Sequence, residues 1–416
     1  MLPETRFTAL PPHVRPAAHS VTAPQGFRAA GVAAGIKGSN RLDLGILQSD
    51  YPCVSATLLT RNTAAAAPVQ ITRSVCDGSR LRGVVVNSGN ANACSGAAGL
   101  RDADRMRLLT SHALGLPDTE VAVCSTGVIG AALPMPKVER GIEHAAAKIA
   151  ADGGDHFAAA IRTTDRTAKH GALRLALGGG EVRLGFAAKG AGMISPNLAT
   201  MLCFVTCDAD VPASDWGAMV VDAVAGSFNR ISVDGQESTN DAVIAFANGA
   251  SRVRPDDAGL SVLGETLRAA LLALAVAIVA DGEGATRVVR LSVSGAREAA
   301  EAEAVARAIG NSPLVKAAFY GEDPNWGRVV QAIGQTLARA GDDSALTADI
   351  DYGPVRVLSG GVPTVAGEEA LQTLRDVMAQ PEIELIVELQ RGRAGATLFF
   401  SDLTHQYVTF NAEYTT

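Results

Sequence analysis

The segment KGAGMISPNLATMLCF, residues 189–204, places one threonine hydroxyl, that of Thr200, between a glycine-rich loop and an apolar run. A threonine hydroxyl needs a base to become a nucleophile, and an N-terminal threonine carries one in its own α-amine. That amine has an ordinary pKa of about 7.7–8.0, which suits base chemistry near neutral pH. Thr200 gains it only if the bond after Ala199 breaks, and the glycines and Pro196 could strain that bond. Thr200 is therefore a candidate self-generated nucleophile.

Several other polar loops contain residues that could serve such a nucleophile. STGVIG, residues 125–130, places a hydroxyl beside a flexible backbone N–H, and such a pair can bind a developing oxyanion. DGEGAT exposes Glu283 between two glycines, and NSGNANACSG, STND and GEDPNWGR are further polar loops. The sequence has no G-x-S-x-G, H-E-x-x-H, Walker or G-x-G-x-x-G motif. Taken singly, each loop is equally well explained as an ordinary turn, and Thr200 as an ordinary strand residue.

Composition restricts the class of protein. The 416 residues are 47% hydrophobic and 19% charged, which indicates a folded chain too long for one simple core, so we expect two lobes or two closely packed domains. A net charge of -7 argues against nucleic acid as the main partner. The N-terminal residues lack the apolar segment of a secretory signal.

The cysteines and one apolar run have simple structural interpretations. The six cysteines are scattered through the first half, which favours reduced thiols in a cytosol, and Cys203 and Cys207 are predicted to be buried strand thiols rather than a metal pair. The run LRAALLALAVAIVADGEG from Leu267 is apolar for about 14 residues, short of the roughly 20 that cross a bilayer. It therefore predicts a buried helix.

Short apolar segments alternate with helical ones along the chain. LRGVVVNSGN and EVAVCSTGVIG are predicted strands that lead into loops, and LRLALGGGEVRLGF is a predicted hairpin. VERGIEHAAAKIAADGG, ASDWGAMVVDAVAGSFN and REAAEAEAVARAIGNS are predicted helices, and residues 381–410 are predicted to form two or three antiparallel strands. This mixture predicts a layered α/β or α+β fold. The glycine-rich loop near the midpoint is the best candidate domain boundary.

Together the motifs resemble one known family over nearly the whole chain. They are, in order, GVAAGIKGSNRLDLGIL, VVVNSGNANACSG, CSTGVIG, RTTDR, KGAGMISPNLATML, SFNRISVDGQESTNDAV, DGEGATR, NSPLVKAAFYGEDPNWGR and NAEYTT. This pattern resembles the ornithine acetyltransferase family, the bifunctional glutamate and ornithine N-acetyltransferases of arginine biosynthesis. Residues 189–201 carry the most specific part of the likeness.

The resemblance implies a role for particular residues of this chain. Thr200 matches the nucleophile, freed by cleavage after Ala199, and Thr126 and Gly127 match the oxyanion pair. The positions that match substrate contacts are Thr163, Lys189, Thr200, Glu283, Asn411 and Thr416. We expect Lys189 to meet a substrate carboxylate and Glu283 the side-chain ammonium of ornithine.

The resemblance also implies a fold, an assembly and a reaction. The fold is the self-processing one that the family shares with certain aminopeptidases, with an α fragment of residues 1–199 intertwined with a β fragment of residues 200–416, in an α2β2 heterotetramer. The reaction is ping-pong transfer of the acetyl group from N2-acetyl-L-ornithine to L-glutamate in the cytoplasm. No metal or organic cofactor is required, and acetyl-CoA is a further donor in bifunctional members. No nucleic acid or membrane partner is implied.

Three alternatives remain open at this stage. Departures from the family pattern, among them Leu198, Cys207 and Tyr320, leave room for a same-fold acetyltransferase of secondary metabolism with another acceptor. A self-processing amidohydrolase or aminopeptidase would pass the acyl group to water and release free acetate or an amino acid. A non-catalytic binding protein would remain one uncut chain on a denaturing gel.

Overall fold

The computed structural model describes residues 2, 5–195, 201–365 and 367–413. Its strands are β1 (Val14–Ala17), β2 (Phe27–Val32), β3 (Leu44–Ser49), β4 (Val54–Leu59), β5 (Gly83–Asn90), β6 (Val121–Val128), β7 (Lys169–Leu177), β8 (Gly180–Lys189), β9 (Leu202–Cys207), β10 (Ile231–Ser232), β11 (Ala242–Ala247), β12 (Val288–Ala296), β13 (Asp349–Tyr352), β14 (Val355–Ser359), β15 (Val362–Pro363), β16 (Glu382–Glu388) and β17 (Ala394–Ser401). Its α-helices are α1 (Ala67–Val75), α2 (Gly96–Leu114), α3 (Met135–Ala147), α4 (Gly154–Ala160), α5 (Ala213–Ala225), α6 (Asp257–Ala280), α7 (Ala299–Gly310), α8 (Pro313–Tyr320), α9 (Trp326–Arg339), α10 (Glu368–Met378) and α11 (His405–Glu413).

Two sheets pack face to face in the first lobe. A four-stranded sheet has the order β2-β3-β5-β6, and a six-stranded sheet has the order β1-β7-β8-β9-β11-β4. Their facing sides share one hydrophobic core, in which Phe27 of β2 meets Phe246 of β11 with ring centroids 6.4 Å apart. Because successive strand residues face opposite sides, Val84 and Val86 enter this core while Val85 faces the other way.

Helices cover the outer face of each sheet. The outer face of the four-stranded sheet packs on α2 and α3, and Val85 belongs to that core. The outer face of the six-stranded sheet packs on α5 and α6 through Trp216 and Leu263, among others. The resulting order of layers is helix, sheet, sheet, helix, so the predicted layered α/β architecture is confirmed.

A seven-stranded sheet organises the C-terminal lobe. Its order is β10-β17-β12-β16-β13-β14-β15, and its core also includes residues of α7, α8, α9 and α10. Most residues of this core lie between Val289 and Phe400. The two lobes therefore divide near residue 287, and the glycine-rich loop at residues 189–195 lies inside the first lobe. The expected domain boundary in that loop is wrong, because β8 and β9 on either side of it pair in one sheet.

Most predicted elements are present, with two differences. The predicted helix around Leu267 is α6, which begins ten residues earlier at Asp257; it is long and apolar enough to cross a membrane, but most of its most apolar window is buried in the core. In residues 381–410, β16 and β17 do not pair with each other, because β12 lies between them. Two of the two or three strands predicted there are present, and the residues that follow them form the helix α11.

Candidate functional site

One pocket, lined by elements of the first lobe and by α11, gathers the predicted site residues that the structure describes. It is lined by Thr126, Gly127, Ile129, Thr163, Thr164, Lys189, Gly192, Met193, Ile194, Met201, Leu202, Ser238, Thr239, Asn240, Asp241, Glu283 and Asn411. All of the predicted oxyanion and substrate positions within the described residues are among these. They come from β6, the end of β8, α11 and the loops after α4 and α6, which are far apart in sequence.

The remaining predicted residues, Ala199, Thr200 and Thr416, lie outside the described residues. The described neighbours of the glycine-rich segment do line the pocket. Ile194 precedes residues 196–200 and Met201 follows them, and both contribute to the lining.

The backbone at Gly127 has a conformation that favours glycine. Its φ is +134°, and a Cβ added there would lie 2.4 Å from the carbonyl carbon of Gly89 on the neighbouring strand β5. The parallel pairing of β5 and β6 becomes irregular at this point, where Asn90 is opposite both Thr126 and Val128. A side chain at residue 127 would therefore force the two strands apart and displace Thr126 from the pocket.

Asn240 of the STND motif holds the strand that carries Thr126. Its Nδ2 donates to the carbonyl oxygen of Ser125 at 2.9 Å and to that of Ala91 at 2.6 Å. Asn240 is buried, so these bonds are shielded from water. The amide thus fixes the end of β6 against the NSGNAN loop.

Lys189 contacts the predicted oxyanion residue directly. Its side chain is buried, and its Nζ donates to Thr126 Oγ1 at 3.3 Å. Burial lowers the pKa of Lys189, which the carboxylates of Asp165, Asp241 and Glu283 oppose. Because an ammonium group has donors and no acceptor, Thr126 Oγ1 is the acceptor in this bond and its own proton is free to point elsewhere.

Glu283 is oriented by two hydrogen bonds to other pocket residues. Its Oε1 accepts from the Thr164 hydroxyl at 2.7 Å, and its Oε2 accepts from Asn411 Nδ2 at 2.9 Å. The carboxylate also lies against Gly192, where an added Cβ would be 2.5 Å from Glu283 Cδ. Neither bond is to a cation, so the negative charge of Glu283 remains available to a ligand.

A buried ion-pair network lies below the pocket and joins its loops. Lys169 Nζ donates to Asp165 Oδ1 at 2.7 Å and to Asp281 Oδ2 at 2.5 Å. Burial alone would raise the pKa of Asp165, but the ammonium groups of Lys169 and Lys189 and the hydrogen bonds from Lys169 and Gly190 hold it well below its ordinary value. The buried charges are thus compensated, as a stable buried network requires.

Each carboxylate of this network also fixes the backbone of a pocket loop. Asp165 accepts from the N–H of Thr163 at 3.1 Å and from that of Gly190 at 2.7 Å. Asp281 accepts from the N–H groups of residues 166 and 167 and precedes Glu283 by two positions. The loops that carry Thr163, Lys189 and Glu283 are therefore tied to one buried ammonium group.

A second acidic residue anchors the far end of the glycine-rich loop. The Asp234 carboxylate accepts from the N–H of Met193 at 2.6 Å and from that of Ile194 at 2.9 Å. The N–H of Val233 donates to the carbonyl oxygen of Ile194 at 2.7 Å. The loop is held at both ends, by Asp165 at its start and by Asp234 near residue 194.

Sequence reasoning assigned no role to Asp165, Lys169, Asp281, Asp234 or Asp241. Asp165, Asp281, Asp234 and Asp241 stand in the quoted motifs RTTDR, DGEG, SVDG and STND, so an acidic residue inside a glycine- or hydroxyl-rich loop was the available signal. Lys169 carried no such signal, because its pairing with Asp165, four residues away, and with Asp281, 112 residues away, depends on the fold that buries all three.

The cysteines lie apart from this chemistry. All six are free, and Cys203 and Cys207 are buried on β9, as predicted for strand thiols. Burial raises the pKa of both thiols far above the usual value. In the described part of the chain, no cluster of three or more His, Cys, Asp or Glu side chains could hold a metal ion.

Fold and pocket together define a layered α/β enzyme with a charged, hydroxyl-rich site for a small molecule. The ArgJ family model matches residues 28–416. The arginine biosynthesis bifunctional protein ArgJ of Symbiobacterium thermophilum is 43% identical over 404 residues, which are 96% of this chain and 99% of that protein. Its counterpart in Nitratidesulfovibrio vulgaris is 44% identical over 392 residues, 94% of this chain and 98% of that protein.

The chain belongs to the ArgJ family, and the family resemblance read from its motifs is confirmed. Among solved structures, the chain is similar to ornithine acetyltransferase from Mycobacterium tuberculosis complexed with ornithine. That match has 45% identity, covers 45% of this chain and 100% of the other, and has a TM-score of 0.41.

Proposed function

We propose that this protein is an acetyltransferase of arginine biosynthesis that moves the acetyl group of N2-acetyl-L-ornithine to L-glutamate. Cleavage between Ala199 and Thr200 would first give Thr200 a free α-amine. The names of its relatives, bifunctional proteins of arginine biosynthesis, support the pathway. Pocket chemistry supports the reaction type.

The proposed reaction has two halves. The α-amine of Thr200 takes the proton of Oγ1, which attacks the acetyl carbonyl, and ornithine leaves with that proton on its nitrogen. L-glutamate then attacks the acetyl-Thr200 ester through its amine and departs as N-acetylglutamate. No metal or organic cofactor takes part in this scheme, and acetyl-CoA would enter as an alternative donor in the first half.

The observation that carries the proposal is the bond from Lys189 to Thr126. With Oγ1 of Thr126 accepting from Lys189 at 3.3 Å, its own hydroxyl proton is available to an oxyanion in the pocket. The buried ammonium group adds positive charge behind that donor, in a place where water does not screen it. The N–H of Gly127 is the second proposed donor. Such an arrangement suits the tetrahedral intermediate of acyl transfer.

The charges of the pocket also suit an acetylated amino acid with a cationic side chain. Lys189 provides positive charge toward the α-carboxylate, and Glu283 provides negative charge toward the side-chain ammonium. Thr163 and Asn411 add polar side chains to the same pocket lining. Thr416 is proposed to contact substrate from the end of the chain.

The test is intact mass spectrometry of the purified protein before and after incubation with N2-acetyl-L-ornithine. We expect two chains, residues 1–199 and 200–416, and an acetyl group on the second chain after incubation. Addition of L-glutamate should remove that group and yield N-acetylglutamate. An active protein that is one unbroken chain would contradict the proposal, and release of free acetate would instead indicate the hydrolase.

The proposed assembly is an α2β2 heterotetramer in the cytoplasm. Six unpaired cysteines suit a reducing compartment. Size-exclusion chromatography with light scattering measures the assembly, and the acetyl-CoA donor is tested by the same mass assay.

A further inference from the structure

A buried carboxyl group in the pocket has an unused oxygen. Asp241 precedes the first residue of β11, its side chain is 2% exposed, and it lines the pocket. Its Oδ2 has no hydrogen-bond partner among the described residues. The proposed reaction scheme uses neither oxygen of this carboxyl group.

The backbone hydrogen bonds that hold residue 241 in the fold do not involve the Asp241 carboxylate. Its carbonyl oxygen accepts from the N–H of Thr60 at 3.0 Å, and Ala242, the next residue, donates to the carbonyl oxygen of Met201 at 3.0 Å. Both are backbone bonds that any side chain at residue 241 would keep. Within the STND motif, it is the side-chain amide of the neighbouring Asn240 that binds other parts of the fold, through its hydrogen bonds to the carbonyl oxygens of Ala91 and Ser125.

A buried carboxylate oxygen that makes no hydrogen bond is costly, so the free Oδ2 in the pocket lining indicates a partner that enters the pocket. The charge of Lys189 acts on Asp241, but among the described residues the two form no ion pair, and Lys189 donates to Thr126 instead. A carboxylate oxygen only accepts hydrogen bonds, and a protonated amine is the partner that also compensates its charge.

We propose that Asp241 is a catalytic residue whose free oxygen binds the protonated primary amine that arises in this pocket during acetyl transfer. This inference rests on the proposed function. When the Oγ–C bond forms and the C–N bond breaks, the hydroxyl proton travels by way of an ammonium group to the leaving nitrogen. Asp241 stabilises that ammonium group and remains a carboxylate throughout, so its own proton count does not change.

The amine has two possible sources that share this chemistry. One is the α-amine that cleavage creates on the enzyme, and the other is the amino group of the amino acid that loses or receives the acetyl group. An activated ester such as p-nitrophenyl acetate separates them, because it can acetylate the enzyme without any amine of its own.

The experiment compares Asp241→Asn with wild type and with Glu237→Gln. Asparagine keeps the shape and removes the charge, whereas Glu237 is an exposed carboxylate of the same loop that does not line the pocket. Acetyl transfer from N2-acetyl-L-ornithine should fall about a hundredfold in Asp241→Asn, the usual effect of removing one electrostatic stabiliser of the reaction, and stay unchanged in Glu237→Gln. The melting temperature of Asp241→Asn should equal or exceed that of wild type.

The two acetyl donors distinguish the two sources of the amine that Asp241 binds. If Asp241→Asn loses acetyl transfer with both p-nitrophenyl acetate and N2-acetyl-L-ornithine, Asp241 binds the enzyme's own amine. If it loses acetyl transfer with N2-acetyl-L-ornithine alone, Asp241 binds the substrate's amine. Unchanged transfer, a lowered melting temperature or an Asp241→Asn chain that stays uncut would each overturn the proposal, since the uncut chain has no amine at Thr200. A wild type that forms no acetyl-enzyme would instead overturn the proposed function.

Discussion

At the scale of single residues, Thr126 and Lys189 act as one unit. The ammonium group that donates to Thr126 Oγ1 both directs the hydroxyl and places positive charge behind it. Removing the hydroxyl should therefore affect the transition state more than the bound substrate. The carboxylate of a substrate would meet a Lys189 whose position is already fixed.

Replacing Thr126 by valine tests this unit. We expect kcat to fall about 10²–10³-fold, the usual effect of losing one oxyanion donor, while KM changes little. Thr126→Ser keeps the donor and is the matched control, which should retain most of the activity. Steady-state kinetics of acetyl transfer is the measurement, and a Thr126→Val enzyme with wild-type kcat would rule out the oxyanion role.

Asp241 should also make stability depend on pH. Burial raises its pKa well above the ordinary value and Glu237 adds to the rise, while the Ser238 hydroxyl and Lys189 oppose it. Above the unfolded pKa of about 3.9, the unfolded chain loses this proton while the folded chain still holds it. The contribution of Asp241 to the free energy of unfolding therefore falls as pH rises through that window and up to the folded pKa.

The corresponding measurement compares melting temperatures of wild type and Asp241→Asn at about pH 4 and about pH 8. Because the variant has no carboxyl proton at residue 241 to lose, its advantage over wild type should be small at the lower pH and larger at the higher. All other groups are common to both proteins and cancel in the difference. An advantage that shrinks with rising pH would contradict the expected direction.

At the scale of elements, the buried ammonium group of Lys169 joins the loops after α4, β8 and α6. Lys169→Met should leave Asp165 and Asp281 without their shared cation, at a cost of about 3–5 kcal/mol in the free energy of unfolding. Arg268→Met is the matched control, since Arg268 makes an equally short pair with Asp222 that is exposed and worth about 0–1 kcal/mol. Denaturant unfolding measures both, and equal effects would show that the network is unimportant.

The glycine-rich loop fits closely against Glu283. A Cβ on Gly192 would lie 2.5 Å from the Glu283 carboxyl carbon, so Gly192→Ala should push that carboxylate away from Thr164 and Asn411. We expect KM for the cationic substrate to rise about tenfold, equivalent to about 1.4 kcal/mol, with a smaller change in kcat. Gly217→Ala on α5, where an added Cβ meets open space, is the control. An unchanged KM would show that Glu283 does not contribute to substrate binding.

The sequence predicted those features that local pattern determines. Val-rich β5 and β6 and the triple-glycine hairpin of β7 and β8 follow from residue spacing, and family motifs supplied the pocket residues. Lys169 and Asp241 were missed because their significance lies in what surrounds them after folding. Lys169 is buried between a carboxylate four residues away and another 112 residues away, and Asp241 has one buried oxygen without a hydrogen bond. Of the two or three strands predicted in residues 381–410, two are present; HQYVTF has strand-forming residues, but it lies in the helix α11, because its state depends on tertiary context.

At the scale of the whole molecule, the proposed cut lies between two strands of one sheet. β8 precedes residues 199 and 200 and β9 follows them, and the two strands pair antiparallel from Leu184–Cys207 to Lys189–Leu202. β4 of the first fragment likewise pairs with β11 of the second from Ala242–Leu59 to Ala247–Val54. The six-stranded sheet and the core beneath it would thus be shared by both fragments.

Cleavage should therefore leave the fragments bound to each other. We expect residues 1–199 and 200–416 to appear as two bands on a denaturing gel but to elute together in size-exclusion chromatography without denaturant. They share two strand pairings and the buried apolar faces of two sheets, so dissociation would expose a core that no single fragment can close. Co-elution should persist at high salt, because burial of apolar surface is not screened by ions. Fragments that separate in native buffer after cleavage would show that the shared sheet does not hold the processed enzyme together.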